Sequence, residues 1–169
     1  MKVTISELQK KIKQLTAELN SLFAQEQKGT FFVASINEDP KTVKPDFNLQ
    51  EATASELVLI SMISSYKHVL NEFNQNTRLE SIANHPTIDQ VLVQLPVMNE
   101  IQKRYTTYTD FLGREREPRG FGPTSVPEYK YANFDRTKVL AFYEANQKVI
   151  QDIQLELDRI NATHTVDIP

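Results

Sequence analysis

The chain has no cysteine and no tryptophan, and only 4 glycines and 3 histidines in 169 residues. Without cysteine there is neither a disulfide nor a thiolate-ligated zinc, a composition that suits a reducing cytoplasm. So few glycines argue against nucleotide-binding and sandwich folds and favour long helices joined by few turns. His68, His85 and His164 show no metal-ligand spacing, and there is no His-Glu-x-x-His helix, phosphate loop or nucleophile elbow. The longest apolar run of note, Leu57-Val58-Leu59-Ile60, is far too short to cross a bilayer. Polar residues spaced through Lys2 to Asn20 also deny a signal-peptide core. A net charge of −3 with mixed signs gives no general attraction for nucleic acid or for an anionic membrane. These absences lead us to expect a cytoplasmic chain that binds no specific nucleic acid and has no cofactor, no metal and no catalytic residues, and they disfavour an enzyme without deciding the question.

What the chain does have is heptads. Ile5, Leu8, Ile12, Leu15, Leu19 and Leu22 recur in alternating steps of 3 and 4, the spacing of a helix that buries one seam. Thr4 and Glu7 form a capping-box signature at its start, and Gly29 is a plausible stop. A second seam is Leu59, Ile63, Tyr66, Leu70 and Phe73, opened by Asn48 with Glu51. A third helix follows Pro86, with Thr87 as cap and Gln90 three residues in. Its stripe runs Ile88, Val91, Leu95 and Met98, then Ile101, Tyr105, Tyr108 and Leu112, with a kink expected at Pro96. The last seam is Val139, Tyr143, Asn146, Ile150, Ile153, Leu157 and Ile160.

This patterning predicts an all-α fold of one domain, residues 1–169, with helices at about 4–28, 48–75, 87–112 and 135–161. The helices should form an up-and-down bundle or paired hairpins. Residues 29–47 should be a connection free of regular structure because of Asp39-Pro40 and Lys44-Pro45, apart from a short strand or packed extended segment over Thr30 to Ile36. Residues 113–134 hold three of the four glycines, and Tyr129-Lys130-Tyr131 has the alternation of a short strand or arm.

Three groups of residues are candidates for function. Leu57, Val58, Ile60 and Met62 make the second helix apolar on more than one face. With Asn146, polar on an otherwise apolar seam, they point to a homo-oligomer interface. Asn71, Asn74 and Thr77 recur every third residue and could hydrogen-bond a small ligand, or simply satisfy the end of a helix. Arg114, Arg116 and Arg119 lie among aromatics and could hold an anion, although Glu115, Glu117 and Asp110 offset their charge. The carboxylate pair Asp152 and Glu156 is expected to face solvent.

The stretch Leu70-Asn71-Glu72-Phe73-Asn74-Gln75-Asn76-Thr77-Arg78-Leu79, followed by Thr87-Ile88, resembles the small uncharacterised bacterial proteins of the DIP1984-like or septicolysin-like family. Members of that family share an Ile-Asn-x-x-Asn-x-x-Thr-x-Leu stretch and then a Thr-Leu that opens the next helix. Asn71, Asn74, Thr77, Leu79 and Thr87 match that pattern in order. Glu128-Tyr129-Lys130-Tyr131 and Leu157-Asp158 are similar to two further family segments, whereas the family's Trp-containing tail has no counterpart here. The resemblance implies a helical fold and self-association without an established activity, and its label implies membrane action of the cytolysin kind. Residues and resemblance together favour a self-associating scaffold or interaction module. The alternatives are a membrane-active protein and a binder of a small molecule or anion.

Overall fold

A computed structural model describes residues 1–117 and 128–169. The protein is mostly helical, with short antiparallel strand pairs. In chain order the elements are β1 (Lys2–Thr4), α1 (Ile5–Gly29), α2 (Pro40–Val43), α3 (Leu49–Asn76), α4 (Ile88–Asp110), β2 (Arg114–Arg116), β3 (Tyr129–Tyr131), α5 (Arg136–Thr163) and β4 (Thr165–Asp167). They divide into two compact units, Met1–Asn76 with Arg159–Pro169, and Thr77–Asp158.

In the first unit, α1 starts where its cap dictates. The Glu7 amide donates to Thr4 Oγ1 at 3.2 Å, and the Thr4 amide donates to the Glu7 carboxylate at 2.8 Å. The Thr4 amide, with lesser help from the hydroxyl, holds the Glu7 carboxyl below its usual value. Ile5 and Leu8 are completely buried, and Ile12 and Leu15 are half-buried. This seam packs on α3, whose Leu59, Ile63 and Tyr66 are buried on the facing side.

The core gathers Val3, Leu8, Tyr66 and Ile168. Val3 and Ile168 reach it because β1 and β4 pair antiparallel, Val3 opposite Val166. Backbone bonds finish the join: the Met1 amine donates to Ile168 O at 2.7 Å, and the Ile168 amide donates to Met1 O at 2.9 Å. Both ends of the chain are therefore tied into one core, which the helical pattern did not foretell.

The connection from α1 to α3 departs from expectation. Thr30 to Ile36 form no strand and do not pack as a segment, with Phe31, Val33 and Ile36 at least 85% exposed. No strand pairs with them among the described residues, so β-propensity alone does not hold them. Asp39-Pro40 opens a turn of helix instead of forbidding one. The Asp39 carboxylate accepts from the Lys41 amide at 3.0 Å, and Pro40 stands at the first helical turn, where its missing N–H costs nothing. Gly29 stands at the end of α1, and glycine is required there for a reason unrelated to a left-handed cap. The Phe47 side chain lies against its Cα, where any Cβ would collide with the ring. α3 opens on Asn48, whose side-chain oxygen accepts from the Gln50 amide at 3.1 Å.

In the second unit, the turn before α4 is held by Leu79 N donating to Pro86 O at 2.9 Å and Arg78 Nη1 donating to His85 O at 2.9 Å. Asn84 and His85 adopt positive φ, 66° and 42°, a region that Asn and His tolerate better than branched residues. The Thr87–Gln90 capping box is present. α4 continues as a helix through Pro96. Leu79, Ile88, Val91, Ile150 and Ile153 are this unit's buried apolar residues. Leu112, expected on the α4 stripe, lies beyond the helix and is 78% exposed, because the chain turns there into the β2–β3 hairpin. Glu156, expected to face solvent, is buried.

Candidate functional site

The α3 helix has two sides whose residues recur in steps of 3 and 4. One, Leu59, Ile63, Tyr66, Leu70 and Phe73, is turned inward. The other side of the helix holds Ala54, Leu57, Ser61, Ser64 and His68, also in steps of 3 and 4, and every one of them is exposed. Leu57, Val58, Ile60 and Met62 keep 62%, 60%, 46% and 38% of their surface accessible. Leu57 lies on this outward side with Val58 and Ile60 on its two flanks, whereas Met62 borders α1, where it lines a pocket with Lys11, Gln14, Leu15 and Tyr66. The apolar members were legible in the sequence. The small residues between them were not, because Ala and Ser carry no hydrophobic signal. Their side chains are short, so the helix surface is low at Ser61 and Ser64.

One edge of the inward seam is polar. Glu56 is buried at 8% exposure beside Glu26 of α1, and its Oε1 lacks a hydrogen-bond partner. Burial, and then the neighbouring Glu26 carboxylate, push the Glu56 carboxyl up.

The remaining candidate residues are scattered. Asn71 is exposed, and Asn74 and Thr77 are half-buried; of the three, Thr77 is bonded to the α4 start, its carbonyl accepting from the Ile88 amide at 3.0 Å. Asn146 is half-buried and donates to Gln102 Oε1 at 2.7 Å and to Met98 O at 3.3 Å. A polar residue on an apolar seam thus has its partner inside the same unit. Arg114 and Arg116 sit on the exposed strand β2, and Arg114 stacks over the Tyr129 ring at 3.7 Å. Arg119 lies outside the described residues. Each of two histidines stands near one carboxylate, His68 by Glu72 at 3.6 Å and His85 by Glu80 at 3.4 Å, all well exposed. No three potential metal ligands cluster among the described residues. Nor is any described helix long and apolar enough to cross a membrane.

No family model and no curated protein matches the chain. Among solved structures it is similar to a functionally unknown conserved protein from Corynebacterium diphtheriae, with a TM-score of 0.66 at 13% identity. The match covers 99% of this chain and 100% of the other. At that identity the likeness is one of fold alone.

Proposed function

We propose that this protein is a self-associating helical module, a cytoplasmic scaffold or interaction protein rather than an enzyme, in which two copies pair through the outward face of α3. The observation that carries the reading is the exposure of Leu57, Val58 and Ile60 on a helix whose opposite side is already packed. The face also complements itself in size. A two-fold axis at Ser61 that pairs the helices antiparallel brings Leu57 level with Ser65 and Val58 level with Ser64. Large residues then fill the space that small ones leave. Between Glu56 and Lys67 no charged residue interrupts α3, so the face offers nothing to a partner that recognises charge. The resemblance to the septicolysin-like family belongs to this proposal. It is supported by Asn71, Asn74, Thr77, Leu79 and Thr87 and by the fold shared with the corynebacterial protein.

The test uses the absence of cysteine. In Ser61→Cys each chain carries one thiol, and a two-fold axis at that position brings two thiols together. Mild oxidation should convert most of the protein to a covalent dimer at micromolar concentration, whereas Ser35→Cys should stay monomeric on a reducing-agent-free gel. Equal, slow crosslinking of both variants would refute the arrangement.

A further inference from the structure

We propose that a pocket beside the β2–β3 hairpin binds a small planar aromatic anion. The pocket has a volume of about 170 Å³ and lies between the end of α4 and the chain leading into α5. That is below the several hundred cubic ångströms of a drug-sized site and suits one or two fused rings. Tyr108, Phe111, Tyr131 and Phe134 line it, and three of these rings remain open, Tyr131 at 63%, Tyr108 at 40% and Phe134 at 37% exposure. Tyr108 and Phe134 are held 5.6 Å apart between ring centres. Rings fixed in this way offer faces and edges to another ring at low entropic cost.

The charge at the pocket is cationic. Lys130 lines it with its ammonium 5.6 Å from the Phe111 ring centre, and no carboxylate lies within ion-pair distance among the described residues. Glu115 stands opposite Lys130 in the strand register without pairing to it. Thr107 adds a hydroxyl at the rim. A flat ring between the aromatic walls, with a carboxylate turned to Lys130, meets each of these groups, and the salt-type hydrogen bond gives the anion its preference over a neutral ring. This reading stands apart from the α3 face, which belongs to the other unit.

The probe is 1-naphthoate, followed by its own fluorescence, with the neutral 1-naphthamide as comparison. We expect one saturable site per chain, with naphthoate bound about tenfold more tightly than the amide, the effect of one charged hydrogen bond. Lys130→Gln should abolish that preference while leaving the amide affinity in place, Lys130→Arg should retain it, and Tyr131→Ala should weaken both ligands. Leu57→Glu should change neither. Helical circular dichroism confirms that each variant is folded. The proposal is overturned if naphthoate binding does not saturate, if the two ligands bind alike, if the preference survives Lys130→Gln, or if binding is lost in Leu57→Glu.

Discussion

The two units join their helices by different chemistry. In the first, α1 meets α3 through an apolar seam, and the chain ends are fastened beneath it by β1 and β4. In the second, Ile88, Val91, Ile150 and Ile153 are buried as well, but α4 and α5 are also joined by amides and rings. Asn146 bonds Gln102 and Met98, Gln102 Nε2 donates to Tyr143 O at 3.3 Å, and Tyr105 lies 4.6 Å from Phe142. An apolar seam supplies stability without much discrimination between registers. A half-buried amide pair supplies register at little net stability, because its bonds replace bonds to water. The contrast also applies within α3, whose inward side is packed on α1 and whose outward side is covered by none of the described residues.

Truncation in the apolar seam should have the largest effect. Leu8→Ala removes a completely buried side chain and should cost about 3 kcal/mol in urea unfolding. Ile168→Ala, at the strand end of the same core, should cost about 2 kcal/mol and loosen the β1–β4 pair, seen as faster amide exchange at Val3 and Val166. A smaller loss, about 1 kcal/mol, is expected for Asn146→Ala, which leaves Gln102 Oε1 without that donor. Asn146→Leu combined with Gln102→Leu should be nearly neutral in stability, since both polar partners leave together. A loss as large as that of Leu8→Ala would make the amide bridge the main fastener and overturn the comparison.

The subtlest effect is on pH dependence, where two carboxyls of the first unit act in opposite directions. Glu56 is raised above 4.5 in the folded state, so the folded protein binds more protons than the unfolded chain. Stability is therefore lost as pH rises from about 4.5 through the raised value. Glu56→Gln should raise the melting temperature at pH 8, with the gain shrinking toward pH 4. Glu7 is lowered below 4.5, so its contribution is present above that value and is lost as pH falls through the lowered one. Glu7→Gln should accordingly be destabilising at pH 7 and nearly neutral near pH 2. A melting temperature of Glu56→Gln that tracks the parent from pH 4 to 8 would contradict the burial of that carboxyl.

Helix starts and inward faces were legible in the sequence because their signals are local. Thr4 with Glu7 and Thr87 with Gln90 are capping boxes that need only their own turn, and the α1 and α3 seams need only a period. Features that depend on distant residues were hidden. β1 and β4 are three residues each and separated by most of the chain, too short for alternation to register. Gly29 reads as a helix stop, yet its requirement comes from Phe47. Asn146 reads as an interface residue, since nothing in its own heptad names Gln102 as its partner. On α3 the surplus of Leu57, Val58, Ile60 and Met62 was apparent from apolar content. The small exposed residues Ser61, Ser64 and Ser65 drew notice only once one side of α3 was packed and the other was not.

Sedimentation velocity at micromolar concentration tests the central claim most directly. The parent should sediment with twice its chain mass of 19.4 kDa, and Leu57→Glu should sediment with the single-chain mass while keeping its helicity. A parent that sediments as a monomer, or a Leu57→Glu variant that remains paired, would contradict the outward face of α3 as the surface through which this protein associates.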